Sequence, residues 1–190
     1  MKIRWTAGAL PFLIPSVVAA AAFFIGAALA AGAAFPDPQA GESVESRLRE
    51  LEDREEIRQL LVDYGRTIDQ RDFGAFSGLF AKNAEYIGGG GTEAVRGPAA
   101  IAKSLEDIIR QNPTGFRSPS FHLFANEILQ VNGDEATSSS KGIFVVPGEN
   151  NQPAMVMLAT YSDVLTREDG RWKFKKRVVH ADIPAPPAPK

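Results

Sequence analysis

Residues 153–182 read PAMVMLATYSDVLTREDGRWKFKKRVVHAD. The stretch reads with the period of two of extended strands, its first half apolar on both alternating faces, and Glu168-Asp169-Gly170 interrupts it with the residues that turns favour. Two strands, Pro153–Thr166 and Arg171–Asp182, are therefore expected as a hairpin. The same period of two extends upstream over Ser118–Val131 and Glu135–Val146, joined by Asn132-Gly133-Asp134 and followed by the connection Pro147–Gln152. Four long strands in succession predict a meander.

Before Ser118 the period changes. Leu48, Leu51, Ile57, Leu61, Tyr64 and Ile68 recur mostly three or four apart, as one stripe of an amphipathic helix over Val44–Ile68. Asp72 is a cap for a shorter helix from Phe73 to Phe80, and Ala84–Ile87 reads as a strand entering the run Gly88–Gly91. Gly97-Pro98 opens a third helix whose apolar face holds Ile101, Leu105, Ile108 and Ile109. Helices first and a meander afterwards predict an α+β fold, with an antiparallel sheet wrapped against three helices. Both faces of the strand Pro153–Thr166 are apolar: Val156, Leu158 and Val164 on one, and Met155, Met157, Ala159, Tyr161 and Leu165 on the other. Helices cover one face, so a second subunit is expected on the other.

The bulk composition hides two unlike parts. The chain has 190 residues, 44% of them apolar, and a formal net charge of -2. The first 34 residues contain no acid and 25 apolar residues, behind Lys2 and Arg4. This is the pattern of a signal peptide or membrane anchor, with Ser16–Ala34 as the better spanning segment and small-residue cleavage sites near Ala30 and Ala33. Either fate places the domain outside the cytoplasm, periplasmic or secreted, with membrane contact only through the N-terminal segment. The expected organisation is a leader at 1–34, a linker at 35–45, a domain at 46–182 and a Pro/Ala-rich tail at 183–190. Beyond the leader, 19 Lys and Arg face 23 Asp and Glu, which argues against nucleic-acid binding.

Cysteine is absent and histidine occurs twice, at His122 and His180. Thiol chemistry and zinc–thiolate sites are excluded, and a catalytic metal is not expected. The glycine run lacks the Lys-Ser or Lys-Thr ending of a phosphate loop, and no Gly-x-Ser-x-Gly elbow occurs. His122 shares a strand face with Phe124, Asn126 and Ile128, where a satisfied core histidine and a catalytic base are both open readings. Asp69 ends the long helix, where the macrodipole disfavours an anion by about 0.3–1 kcal/mol. Either Arg71 or the imidazole of His122 would compensate it, the latter giving a carboxylate-oriented base. Tyr64 lies on the helix stripe with its hydroxyl in need of an interior partner. It is about 140 degrees around the helix from Asp69, so both face one cavity only if the helix ends or unwinds there. In the last strand, a bulge near Lys175-Lys176 would bring Arg177 onto the face of Trp172.

Taken together, these residues resemble the SnoaL-like branch of the nuclear-transport-factor-2-like superfamily. The resemblance spans Ser46 to Asp182. It rests on the run from Glu52 to Leu61 leading into Tyr64 and Asp69, on Asp72-Phe73-Gly74-Ala75-Phe76, on Arg96-Gly97-Pro98-Ala99-Ala100-Ile101, on Phe121-His122-Leu123-Phe124-Ala125-Asn126, and on Asp169-Gly170-Arg171-Trp172 through Arg177. It implies a cone of helices and a curved antiparallel sheet enclosing one pocket, assembled as a homodimer or homotrimer, without metal or organic cofactor. Similarity to bile-acid 7α-dehydratases within the branch marks Tyr64, Asp69, His122 and Arg177 as the catalytic set, with Phe124, Asn126 and Trp172 as the substrate pocket. His122 would remove a proton beside a carbonyl, oriented by Asp69; Tyr64 would assist the departing hydroxyl, and Arg177 would hold an anionic group or enolate. The catalytic aspartate of ketosteroid isomerases is replaced here by glycine after Ile87, and Thr137–Lys141 contain no carboxylate, so any second pocket acid is missing or lies elsewhere. The expectation is an exported dehydratase or isomerase acting on a hydrophobic hydroxy-carbonyl compound, not a coenzyme A thioester. The alternatives are a non-catalytic binding module and a dimeric envelope scaffold on the same fold.

Overall fold

The computed structural model describes residues 43–88, 91 and 93–185. The leader, most of the linker, the end of the tail, and Gly89 and Gly90 lie outside the described residues. Among the described residues no helix is long and apolar enough to cross a membrane.

The first helix, α1 (Val44–Asp69), starts at Ser43, whose hydroxyl accepts the Ser46 amide. Ile57, Leu60, Leu61, Tyr64 and Ile68 are buried from this helix, whereas the expected stripe members Leu48 and Leu51 are exposed. Only from Asp53 onward does the helix meet the core. Asp72 caps α2 (Phe73–Gly78) by accepting the Ala75 amide. This helix stops two residues short of the expected end, because Phe80 already begins β1 (Phe80–Ile87), in register with Phe174. A short β2 (Val95–Arg96), not anticipated, pairs with β1 and leads through Gly97, at φ +82°, into α3 (Pro98–Gln111). The meander follows as β3 (Phe121–Asn132), β4 (Glu135–Pro147), β5 (Pro153–Glu168) and β6 (Arg171–Ile183).

The sheet order is β2-β1-β6-β5-β4-β3. Every neighbouring pair is antiparallel except β1 and β6, which run parallel, so the α+β sheet is mixed rather than antiparallel throughout. The chain between those two strands comprises a helix and three long strands, ample for the crossover that parallel pairing needs.

Register shifts occur at five places in the described sheet, and three of them re-aim side chains away from the faces that alternation gives them. In β3 the shift between Ala125 and Ile128 turns Ile128 to the exposed side, away from the expected face of His122. Between β4 and β5, Phe144 pairs with Met157 but Val145 with Met155, so Met155 leaves the face that alternation has it share with Met157 and is exposed. In β6, Leu165 pairs with Phe174 and Val164 with Lys176, leaving Lys175 as the extra residue. Beyond it Arg177, Val179 and Ala181 take the buried face that Trp172 and Phe174 hold before it.

Candidate functional site

The end of α1 lies against the start of β3. Gly65 makes this approach possible: a Cβ there would stand 2.9 Å from His122 Cβ and 3.1 Å from Phe124 Cε2. Asp69, at the unfavourable end of the helix, is compensated by three donors. Its carboxylate accepts from Ser120 Oγ at 2.9 Å and from the His122 amide at 2.8 Å, and Oδ1 lies 2.7 Å from His122 Nδ1. Arg71 is placed elsewhere. Its guanidinium donates to the carbonyls of Ile68 at 2.5 Å and Phe116 at 2.6 Å, which closes the helix end and ties down the segment before β3. Of the two compensations open from sequence, the imidazole takes the carboxylate directly, while Arg71 holds backbone and reaches Asp69 only through Ser120 Oγ, to which its Nη1 donates at 3.3 Å.

Asp69 stands behind His122, so no unwinding is needed for Tyr64 and Asp69 to serve one site. The His122 ring stacks on Phe144, with centroids 4.3 Å apart, and borders a cavity of about 520 Å³. Tyr64, Tyr86 and Tyr161 border the same cavity with Phe116, Met157 and Ile108. Tyr64 Oη is 3.1 Å from Tyr86 Oη, which gives the buried Tyr64 hydroxyl the partner it requires. Burial pushes the Tyr64 hydroxyl well above the usual tyrosine range, reinforced by Tyr86 and opposed by the cation Arg177. Burial also raises Tyr86 and Tyr161.

Arg177 is brought inward by the β6 bulge and is 0% exposed, yet it does not line the cavity. Its guanidinium carbon lies 3.8 Å from the Tyr64 ring centroid, 4.3 Å from that of Phe174 and 4.6 Å from that of Tyr161. Asp163 Oδ1 is 3.6 Å from Arg177 Nε, and Asp163 Oδ2 accepts from Ser138 Oγ at 2.9 Å. Burial raises the Asp163 carboxyl, while Arg177 and Ser138 oppose the shift. A direct grip of Arg177 on a bound anion, as expected from sequence, is thus not available: aromatic rings stand between.

The expected pocket residues are only partly assembled. Phe124 packs edge-on against Tyr161, centroids 5.0 Å apart, and backs the site without bordering the cavity. Asn126 is exposed at φ +53° within the β3 irregularity, outside the site. Trp172 is buried at the far end of the helix contact, donating its indole N–H to Asp53 and its amide to Glu56. Glu56 is eight residues before Tyr64, about 12 Å along the helix. A larger cleft of about 700 Å³ lies at that end, bordered by Glu50, Asp53, Glu56, Asp134 and Arg167. Arg167 is shared there among Asp53, Glu56 and Asp134, so the cleft is net acidic and holds no histidine or tyrosine. The smaller cavity holds the groups able to do chemistry.

Three members of the site were not singled out in the sequence. Tyr86 falls two residues after Ala84 in a strand taken as short. Tyr161 was read as an apolar face residue. Asp163 was legible as an acid within an otherwise apolar face, between Tyr161 and Leu165.

Residues 49–178 match the model of the SnoaL-like domain. The chain belongs to the SnoaL-like family. An uncharacterized protein of Mycobacterium tuberculosis is 33% identical over 135 residues, covering 68% of this chain and 85% of that protein, and its Mycobacterium bovis counterpart matches equally. Among solved structures, an NTF2-like protein with a cystatin-like fold from Novosphingobium aromaticivorans aligns at a TM-score of 0.66 and 25% identity, covering 75% of this chain and 92% of that one. A scytalone dehydratase-like protein of the same organism aligns at 0.58 and 24% identity, covering 74% and 89%. These neighbours share the fold of the SnoaL-like domain, and its helices and mixed sheet are those described above.

Proposed function

We propose that this SnoaL-like protein is a dehydratase or isomerase of uncharged hydroxy-carbonyl compounds, with His122 as base and Asp69 as its orienting carboxylate. The observation that carries this reading is the 2.7 Å contact of His122 Nδ1 with Asp69, a carboxylate that Arg71 reaches only through Ser120. With Nδ1–H donated to the carboxylate, Nε2 is the ring's acceptor at the cavity. It takes a proton from the carbon beside the substrate carbonyl. The carbonyl oxygen gains negative charge and accepts a hydrogen bond from the Tyr64–Tyr86 pair. In a dehydration the electron pair then forms the C=C bond, the β-hydroxyl departs, and the proton held by His122 completes the water molecule. In an isomerisation the same proton returns to a different carbon. No group beyond this chain's own side chains is required. The dehydratase-like name of one fold neighbour points in the same direction.

A panel of β-hydroxy ketones tests the reading. His122→Ala and Asp69→Asn are expected to lower turnover by about 100-fold or more. Ligand binding should stay within a few-fold. Ligand-induced stabilisation without product, in wild type as in the variants, would make the protein a binding module instead.

We also propose that a second copy covers the outer sheet face, where Phe121 and Leu123 of β3 and Met155 of β5 are exposed. Phe121 and Met155 flank Val145 in one row across three strands, so the apolar surface is continuous.

A further inference from the structure

Arg177 is the largest fully buried side chain among the described residues, and its surroundings do not resemble those of a structural ion pair. Nε, Nη1 and Nη2 all lack a hydrogen-bond partner, as do Asp163 Oδ1 and Ser140 Oγ nearby in the sheet. The nearest carboxylate oxygen is 3.6 Å from Nε, beyond hydrogen-bond length. A buried guanidinium kept for stability is ordinarily satisfied by bidentate bonds, since desolvating the charge is costly. This one instead addresses ring faces: Tyr64 at 3.8 Å, Phe174 at 4.3 Å and Tyr161 at 4.6 Å. The face of an aromatic ring is its electron-rich side, and a desolvated cation there interacts strongly with it.

Two of those rings carry hydroxyls at the cavity wall, and the Tyr64 hydroxyl is bonded to that of Tyr86. We propose that Arg177 is a positioning residue which acts through the rings of Tyr64 and Tyr161, making the Tyr64–Tyr86 hydroxyl pair a stronger partner for an oxyanion, while Asp163 moderates its charge. This rests on the oxyanion role given to the tyrosine pair above. It assigns Arg177 an effect without substrate contact, and gives Asp163 a part in the site. The titratable groups facing the guanidinium are Tyr64 from α1, Tyr86 from β1, and Tyr161 and Asp163 from β5. Arg177 opposes the upward shift of all three tyrosines.

The two members of the ion pair should then act in opposite directions on an oxygen at the hydroxyl pair. The probe is 4-nitrophenol, whose phenol and phenolate forms absorb at different wavelengths, so its pKa when bound is read directly without turnover. Relative to wild type, Arg177→Met/Asp163→Asn should raise the bound pKa by about one pH unit, and Asp163→Asn alone should lower it by a similar amount. A loss of packing would move both variants the same way. Shifts of like sign, no shift in either, or failure of wild type to bind the probe would overturn the assignment. If only Asp163→Asn folds, the sign of its shift decides. Because no chemistry is measured, this result stands or falls separately from the turnover of the His122 and Asp69 variants.

Discussion

Gly65 and His122 face one another across the contact of α1 with β3, so closely that a methyl group on Gly65 would sit 2.9 Å from His122 Cβ. The obstruction is the root of a side chain, not its flexible end, and relief requires the helix and strand to separate. Gly65→Ala gains about 1 kcal/mol of helix propensity. Overpacking costs about 1–3 kcal/mol. The expected result is a protein less stable in urea by up to about 2 kcal/mol, in which the His122–Asp69 contact is lengthened and turnover falls with it. A more stable variant would show that the contact yields easily.

Arg71 joins the end of α1 to the segment before β3 through the carbonyls of Ile68 and Phe116. Arg71→Ala should cost about 1.5–3 kcal/mol, the range for hydrogen bonds from a charged donor. Arg71→Lys should recover only part of it, because an ammonium lacks the fork that reaches two carbonyls. Urea denaturation of the three proteins measures both differences.

The chain has three tyrosines, and all three border the cavity. Burial raises each of them, so the native state holds its phenolic protons at a pH where the unfolded chain has lost them. Their contribution to stability is whole below about pH 10. It is lost as pH rises from there through the raised native values, by about 1.4 kcal/mol per pH unit for each tyrosine. The tyrosinate absorbance band should stay absent past the ordinary tyrosine range and then appear together with the loss of circular dichroism. Gradual appearance of the band in folded protein would contradict the burial of the hydroxyls.

For the second copy on the outer sheet face, Leu123→Glu and Met155→Glu should each convert the assembly to monomers at micromolar concentration, with secondary structure unchanged. Sedimentation velocity distinguishes the species, and a wild-type monomer would remove the proposal. Met157 and Tyr161, which alternation alone assigns to the same face as Met155, are wrong targets: they border the cavity.

Local signals made most of the fold legible. Period two and the Asp169-Gly170 turn located the meander, and Asp72 and Gly97-Pro98 located the starts of α2 and α3. Sheet order was not legible, because the pairing of β1 with β6 joins residues about ninety positions apart with no local mark. The bulges divide the remaining outcomes. Strict alternation puts Arg177 on the face of Lys173 and Lys175, and only a bulge at Lys175-Lys176, which the register contains, turns it inward. No such bulge was anticipated at the irregularity that turns Ile128 and Asn126 away. The site was readable where scarcity helped, since one of only two histidines is the one Asp69 reaches. It was unreadable where function depends on depth: Arg177 shares the site's core, but three dimensions were needed to find the tyrosines in front of it.

The parallel pairing of β1 with β6 also orders events in time. Tyr86 stands on a strand made early, and the strand that flanks it, bearing Arg177, is made about ninety residues later. A nascent chain can form α1 and the β3–β4 hairpin first, but β1, which carries Tyr86 to the cavity, gains its long sheet neighbour only when β6 has been made. Loss of even the closing strand would leave β1 with only the two residues of β2 for support. Placement of Tyr86 against the Tyr64 hydroxyl is thereby coupled to a strand about ninety residues downstream, whereas the contact of Asp69 with His122 needs only α1 and β3.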